Sequence, residues 1–174
     1  GGKYRVYHRS TTHNANGHAI DKLHYPSLTK HMDPTRATFN EAQSAKDVFV
    51  IRFAELYLIA AEAQFKMGRS DSAAYYLNII RTRAAKTGQT AAMQITPAQV
   101  SLDFILDERA REFAGEQLRW FDLKRTGKLL ERVRALNPDV ANNIQAFHIV
   151  RPIPQAQLDA VTNRDEFTQN QGYQ

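Results

Sequence analysis

Arg52-Phe53-Ala54-Glu55-Leu56-Tyr57-Leu58-Ile59-Ala60-Ala61-Glu62-Ala63, followed across Gly68 by Leu77-Asn78-Ile79-Ile80-Arg81-Thr82-Arg83-Ala84, is the stretch that decides the fold. From Val50 to Met67 the polar residues Arg52, Glu55, Glu62 and Lys66 fall on one stripe, interrupted by Ile59. Phe53, Leu56, Tyr57, Leu58, Ala60, Ala61, Ala63 and Phe65 occupy the rest of the circumference, so this helix is expected to be packed by neighbours on several sides. Glu62 and Lys66 stand in the favourable order for an i,i+4 ion pair. Gly68 ends the helix, because glycine accepts the left-handed conformation without a side-chain penalty. Ser70 is the expected N-cap of a second helix. On it Ala73, Leu77, Ile80 and Ala84 form one stripe that ends before Thr87-Gly88. Helix, glycine turn and helix make an αα-hairpin. Tyr57, Ala61, Gly68, Ala73, Leu77 and Ile80 match the small and apolar positions of a tetratricopeptide unit. Ala61 and Ala73 are the residues that would let the two helices approach closely. No second unit of comparable quality is visible, although residues 96–136 have room for one.

Outward from the hairpin, regular helix is expected to begin near Val48, and residues 1–47 are irregular. Lys3-Tyr4-Arg5-Val6-Tyr7-His8-Arg9 alternates like a short strand. Asn14-Ala15-Asn16-Gly17 reads as a turn, and Tyr25-Pro26 and Asp33-Pro34 are breakers. Downstream, Thr96-Pro97-Ala98-Gln99 carries the elements of a capping box with proline in the first turn. It predicts a helix through Leu102, Ile105, Leu106 and Phe113 to a break near Gly115. Further helices are expected over 117–126 and, past Gly127, over 128–136, where Asn137-Pro138-Asp139 stops the chain. Phe147-His148-Ile149-Val150 reads as an extended segment entering Pro152-Ile153-Pro154, and Pro154 opens a last short helix through Val161.

With 174 residues, 43% apolar and 24% charged, the chain is long enough to bury a real core. No apolar run is long enough to span a bilayer. The chain opens Gly1-Gly2-Lys3-Tyr4 without an initiator Met or a signal-peptide h-region, and reads as a piece of a longer protein. Cysteine is absent, which removes disulfides and thiolate chemistry. The net charge of +5 raises nucleic acid as a partner. Arg119, Lys124, Arg125, Lys128, Arg132 and Arg134 form the densest basic stretch, opposed locally by Asp122 and Glu131. Trp120 and Phe121 beside it sit at helical spacing with Leu118 and Leu123, so they are read as core rather than as a stacking platform. No nucleic-acid partner is expected.

Candidate chemistry is sparse. His8, His13, His18, His24 and His31 crowd the irregular region and His148 stands apart, without the HxH or HxxxH spacing of a zinc site. Glu108 and Glu112 share one helix face with Asp107 adjacent. Glycoside hydrolysis needs carboxyl groups facing each other across the substrate, so these point instead to an ion-pair network with Arg109, Arg111, Arg119 and Arg125. No nucleophile elbow, phosphate loop or dinucleotide fingerprint occurs. No catalytic residue, metal ligand or cofactor is assigned. Sugars are bound by aromatic faces together with amides and charged groups. Tyr4, Tyr7 and Tyr25, near Asn14, Asn16 and His24, are the loop candidates, with anchoring onto the core as their simpler role. Trp120, Tyr57, Tyr75 and Tyr76 belong to helices and are assigned to packing.

Three blocks taken in order carry a family resemblance over residues 45–174. They are the hairpin stretch; Ile105-Leu106-Asp107-Glu108-Arg109-Ala110-Arg111-Glu112-Phe113 with Arg119-Trp120-Phe121-Asp122-Leu123-Lys124-Arg125; and Pro152-Ile153-Pro154-Gln155 with Gln169-Asn170-Gln171-Gly172-Tyr173. Together they resemble the C-terminal part of the SusD/RagB family, the cell-surface glycan-binding lipoproteins of Bacteroidetes. Ala110 stands where the family often has a second arginine, and Thr126 where it often has tryptophan. The resemblance implies a mostly α fold with tetratricopeptide-like helix pairs, irregular loops and short strands. Residues 1–47 would be a loop and short-strand part of the same domain, and 48–174 the C-terminal helical region. A complete member is longer, lipid-anchored in the outer membrane, and sits over a TonB-dependent SusC-like transporter. It delivers oligosaccharides to that barrel without altering them. Glycan contacts in the family come largely from variable loops outside these blocks, so the glycan-binding residues stay unknown. A tetratricopeptide-like scaffold for a protein partner is the alternative, and a carbohydrate-active enzyme a distant third.

Overall fold

The computed structural model describes residues 12–15, 19–20, 28–38, 40–163 and 165–173, in two compact units, Gly1–Ile51 and Arg52–Gln174. In the first unit the described residues form loops with one isolated antiparallel bridge, His13 to Ala19. The strand expected over Lys3–Arg9, the Tyr25-Pro26 breaker and the later half of the Asn14–Gly17 turn lie outside the described residues. Asp33 organises the rest. Its carboxylate accepts hydrogen bonds from Thr35 N (2.9 Å), Thr35 Oγ1 (2.6 Å), Ser44 Oγ (3.1 Å) and Ala45 N (3.0 Å). The Thr35 hydroxyl is the main reason its carboxyl lies well below the usual range.

The second unit is helical. Its α-helices are α1 (Phe53–Lys66), α2 (Ser70–Ala84), α3 (Thr90–Met93), α4 (Leu102–Glu112), α5 (Arg119–Arg125), α6 (Leu129–Leu136) and α7 (Gln155–Ala160), with 3-10 turns at Pro97–Gln99 and Ala146–Ile149. α1 and α2 form the expected hairpin. Gly68 takes φ +74° and Arg69 N donates back to Gln64 O at 2.9 Å, closing α1. Ala61 and Ala73 are both fully buried between the two helices, as close packing requires. Asn78 then ties down the chain leaving α2: its amide donates to Ile95 O and accepts from Ile95 N, both at 2.9 Å.

Two cores meet at α4. Ile105 joins Leu58, Leu77, Ile80, Ile95, Val100 and Phe113 in the larger one. Its neighbour Leu106 turns to Leu123 and Leu129, with Trp120, Val133 and Ile144 packed against them. Adjacent residues on a helix point about 100° apart, so one helix feeds both.

Several boundaries differ from the sequence reading. α1 begins at Phe53 rather than near Val48, and Val48, Phe49, Val50 and Ile51 are exposed and non-helical. Ser70 is the first helical residue of α2 rather than its cap; Arg69 holds that place without a side-chain bond. The Thr96–Gln99 box caps only a 3-10 turn, because Val100 becomes extended to reach the core. α4 starts afresh at Ser101, whose Oγ accepts from Phe104 N at 3.0 Å. α5 starts two residues later than expected, after Gln117 at φ +62°. Phe147–Val150 is not extended. Gln145 N donates to His148 Nδ1 at 2.8 Å and winds Ala146–Ile149 into a turn. α1 is also less enclosed than its apolar girth suggests: Phe53, Leu56 and Ile59 are exposed among the described residues. Tyr75 and Phe121, both assigned to packing, are 65% exposed.

The chain end explains why two short motifs accompany each other. Gln169 bonds both backbone groups of Ile153, accepting from N at 2.7 Å and donating to O at 2.8 Å. Asn170 Nδ2 donates to Arg151 O and Tyr173 Oη to Val150 O. The Tyr173 ring meets Phe147 edge-on at 5.0 Å, and a Cβ on Gly172 would stand 2.3 Å from Phe147 Cγ. Gly172→Ala is therefore expected to cost about 2 kcal/mol through overpacking and backbone strain. Gly88→Ala has the same positive-φ problem but open space around it, and is expected to cost about 1 kcal/mol. Urea midpoints of the two variants against the parent chain check the order; equal midpoints would show that the clamp tolerates displacement.

Candidate functional site

The carboxylates that invite a catalytic reading are each held by cations. Glu108 receives Arg81 at 2.6 Å and Arg111 at 2.7 Å. Glu112 receives Arg52 at 2.8 Å and Arg83 at 2.6 Å, and Arg52 also grips Glu116 with Nε and Nη2, at 3.0 and 2.7 Å. Asp122 receives the buried Arg109 at 2.7 Å and Arg125 at 2.9 Å. Arg125 continues to Glu62, which also takes Lys66, each at 2.7 Å. Two rings complete the lattice. Phe104 lies under the guanidinium groups of Arg81 and Arg111, and Phe113 under those of Arg52 and Arg109. Glu108 and Glu112 border one open cleft together with Arg81 and Arg111, but each is held there by arginines, so the lattice ties helices to one another.

The same geometry engages most of the basic stretch, Lys124 excepted, which is exposed. Arg119 donates to Leu106 O at 2.7 Å, and Arg125 to Glu62 and Asp122. Lys128 pairs with Glu131, and Arg132 with Asp103 and Asp107. Arg134 bonds Ile144 O. Several of these partners are remote in sequence and so were not counted in the local charge balance.

Of the loop candidates for sugar contact, Tyr4, Tyr7, Tyr25, Asn16 and His24 lie outside the described residues, and Asn14 is exposed. His8 and His18 also fall outside. Among the described residues no group of three or more His, Cys, Asp or Glu is placed to hold a metal ion. Three clefts among the described residues are bordered by lattice residues, at Arg109 and Asp122, at Glu108 and Glu112, and at Glu62 and Arg125, and two further clefts have no lattice residue in their lining. In the first unit about 360 Å3 is bounded by Asp33, Thr35, Arg36, Glu41, Gln43 and Ser44, whose polar groups largely bond one another. In the second unit about 250 Å3 is bounded by Trp120, Val140, Asn143, Ile144 and His148. Trp120 thus does two things: one part packs on the Leu106 core, and part of it lines an open cleft. Sequence reasoning assigned it to packing alone and passed over Asn143. The only signal was the polar run Asn142-Asn143 between helix stop and aromatic turn.

A helical hairpin joined by an arginine–carboxylate lattice to further short helices, and closed by a C-terminal clamp, defines a mostly α-helical scaffold. The model of the SusD family matches residues 2–173, nearly the whole sequence. SusD-like protein P25 of Formosa agariphila is 35% identical over 131 residues, covering 71% of this chain and 24% of its own length. SusD-like protein P2 of the same organism is 30% identical over 141 residues, 77% of this chain and 27% of its own. SusD-like protein P38 is 29% identical over 125 residues. The chain belongs to the SusD family. It spans about a quarter of the length of these curated relatives. No solved structure matches it. No helix among the described residues is long and apolar enough to cross a membrane.

The lattice makes a pH prediction. Burial raises the Glu62 carboxyl, and hydrogen bonds from Arg125 and Lys66 more than offset this, holding it at about 2 against an ordinary 4.5. A depressed carboxyl contributes stability that is present above the unfolded value and lost as pH falls through the folded one. The parent chain is thus expected to lose roughly 3 kcal/mol from this group between pH 4.5 and about 2. Glu62→Gln should be less stable than the parent at neutral pH, with the gap closing as pH falls through that window. Urea unfolding across the range decides; a gap that persists below it would mean Glu62 acts by packing rather than by charge.

Proposed function

We propose that the protein of which this chain is a part captures oligosaccharides at the cell surface and passes them, chemically unchanged, to a TonB-dependent SusC-like transporter. In that reading it is held at the outer membrane by a lipid anchor and is not an enzyme. Family membership is the observation that carries the proposal. The fate of the charged motif supports it: Glu108, Glu112 and Asp122, the best acid–base candidates, are committed to arginines. Residues 48–174 then supply a rigid frame on which binding loops are mounted, and residues 1–47 contribute loops to the same domain.

A second reading, a helical scaffold for a protein partner, has one feature in its favour. Phe53, Leu56 and Ile59 along α1 and Met67 at its C-cap are exposed, with exposures from 49% to 76%. Affinity electrophoresis of the full-length gene product through gels containing α- and β-glucans, xylan, mannan and galactan separates the two. Retardation by at least one polysaccharide, with no shortening of the oligosaccharides recovered, is the expected outcome. Unretarded migration in every gel, alongside tight binding to the purified barrel, would replace glycan capture by the scaffold reading.

A further inference from the structure

After α6 the chain turns through residues 137–145 and comes back to pack on the second core at Ile144. Asn143 N donates to Val140 O at 2.9 Å, and Arg134 holds Ile144 O from the helix. This loop, Trp120 and His148 border the open cleft of about 250 Å3. Its lining is an indole, two aliphatic side chains, an amide and an imidazole. The Asn143 side chain is exposed and makes no hydrogen bond among the described residues. His148 accepts from Gln145 N through Nδ1, which leaves Nε2 as the donor, and no partner for it is present among the described residues. The Phe147 and Tyr173 rings, centred 4.1 and 6.0 Å from the imidazole, hold it in place. The cleft therefore combines an apolar floor with two uncommitted polar groups on positioned residues, and its lining contains no Asp, Glu, Lys or Arg. Arg151 stacks on the indole at 4.8 Å and is not part of the lining.

We infer that this cleft binds one neutral pyranose ring of a glycan, with the indole of Trp120 against its C–H face and Asn143 and His148 bonded to its hydroxyls. A sugar ring has one apolar face and a polar rim, which is the chemistry the lining offers. A purely aliphatic ligand would leave the amide and the imidazole N–H unsatisfied. The volume is below the roughly 300–1,000 Å3 of pockets for drug-sized ligands, which suits one ring rather than a chain. The inference rests on the glycan-capture reading and gives it a site.

The chain contains a single tryptophan, so selectively excited emission reports on this cleft alone. Gluco-, xylo-, manno- and galacto-oligosaccharides titrated into the 174-residue chain are the probes. A saturable emission change is expected with at least one of them. Asn143→Ala should weaken that binding roughly tenfold, the loss of one hydrogen bond. Val140→Phe, which fills the cleft from an exposed loop position without adding a tryptophan, should abolish it while leaving the circular dichroism and urea midpoint unchanged. An emission change that survives both substitutions overturns the proposal. So does a silent Trp120 with oligosaccharides of a polysaccharide that retards the full-length protein, and that result leaves glycan capture standing. Absence of retardation in every gel, with silent emission, ends both.

Discussion

Everything in the helical unit depends on keeping α4 charged and buried at once. Glu108 and Arg109 are 4% and 2% exposed, in a helix that also feeds two apolar cores. Removing such groups from water costs several kcal/mol each, and only well-formed hydrogen-bonded pairing offsets it. The planar guanidinium fork suits that task, which is why arginine rather than lysine supplies nearly every partner here. The consequence is geometric. α2 must present Arg81 and Arg83 to Glu108 and Glu112, α5 must present Asp122 to Arg109, and the residue before α1 must present Arg52 to Glu112 and Glu116. A one-residue shift of any of these helices would rotate its charge by about 100° and strand a buried ion. The lattice thus sets helix register, a task that nondirectional apolar packing performs less strictly.

The C-terminal clamp solves a different problem. Pro152 and Pro154 have no backbone N–H, so the segment between helices cannot build a ladder of its own. Gln169 supplies the missing partner by bonding both backbone groups of Ile153, and Asn170 and Tyr173 extend the pairing to Arg151 and Val150. Side-chain amides stand in for a neighbouring strand. The glycine at 172 is what allows the two pieces to approach closely enough for Phe147 and Tyr173 to meet.

The hairpin was legible because its determinants are local: Gly68, the small residues Ala61 and Ala73, and a stripe of period 3.6. The Glu62–Lys66 pair was legible for the same reason. Arg125 to Glu62 and Arg132 to Asp103 were not, since those partners lie 63 and 29 residues apart and no local count of charge contains them. Periodicity also says which face is apolar without saying what covers it, so Phe121 and Tyr75 were placed in a core that does not reach them. The turn at Ala146–Ile149 was missed because its cap is a histidine nitrogen accepting from Gln145 N, outside the usual set of capping oxygens. The Trp120 cleft was hidden for a related reason. Helical spacing correctly put the indole beside Leu123, but one large side chain is able to fill a core at one end and line a cleft at another.

That double position bears on how such a scaffold acquires selectivity. Trp120 sits on α5 between Arg119 and Asp122, both committed to other elements, so the indole is aimed by the lattice. Across from it, Val140 and Asn143 belong to a loop whose ends are tied, by Arg134 at Ile144 and by the rings of Phe147 and Tyr173 beyond it. The exposed tip takes no part in the lattice or in either core. Substitutions there change the shape and hydrogen-bonding of the cleft at little cost to the frame, whereas changes at Trp120 or Arg119 disturb both. A platform fixed by buried charge, opposed by a loop that stability leaves free to vary, would let the proposed sugar cleft change its lining without disturbing the frame.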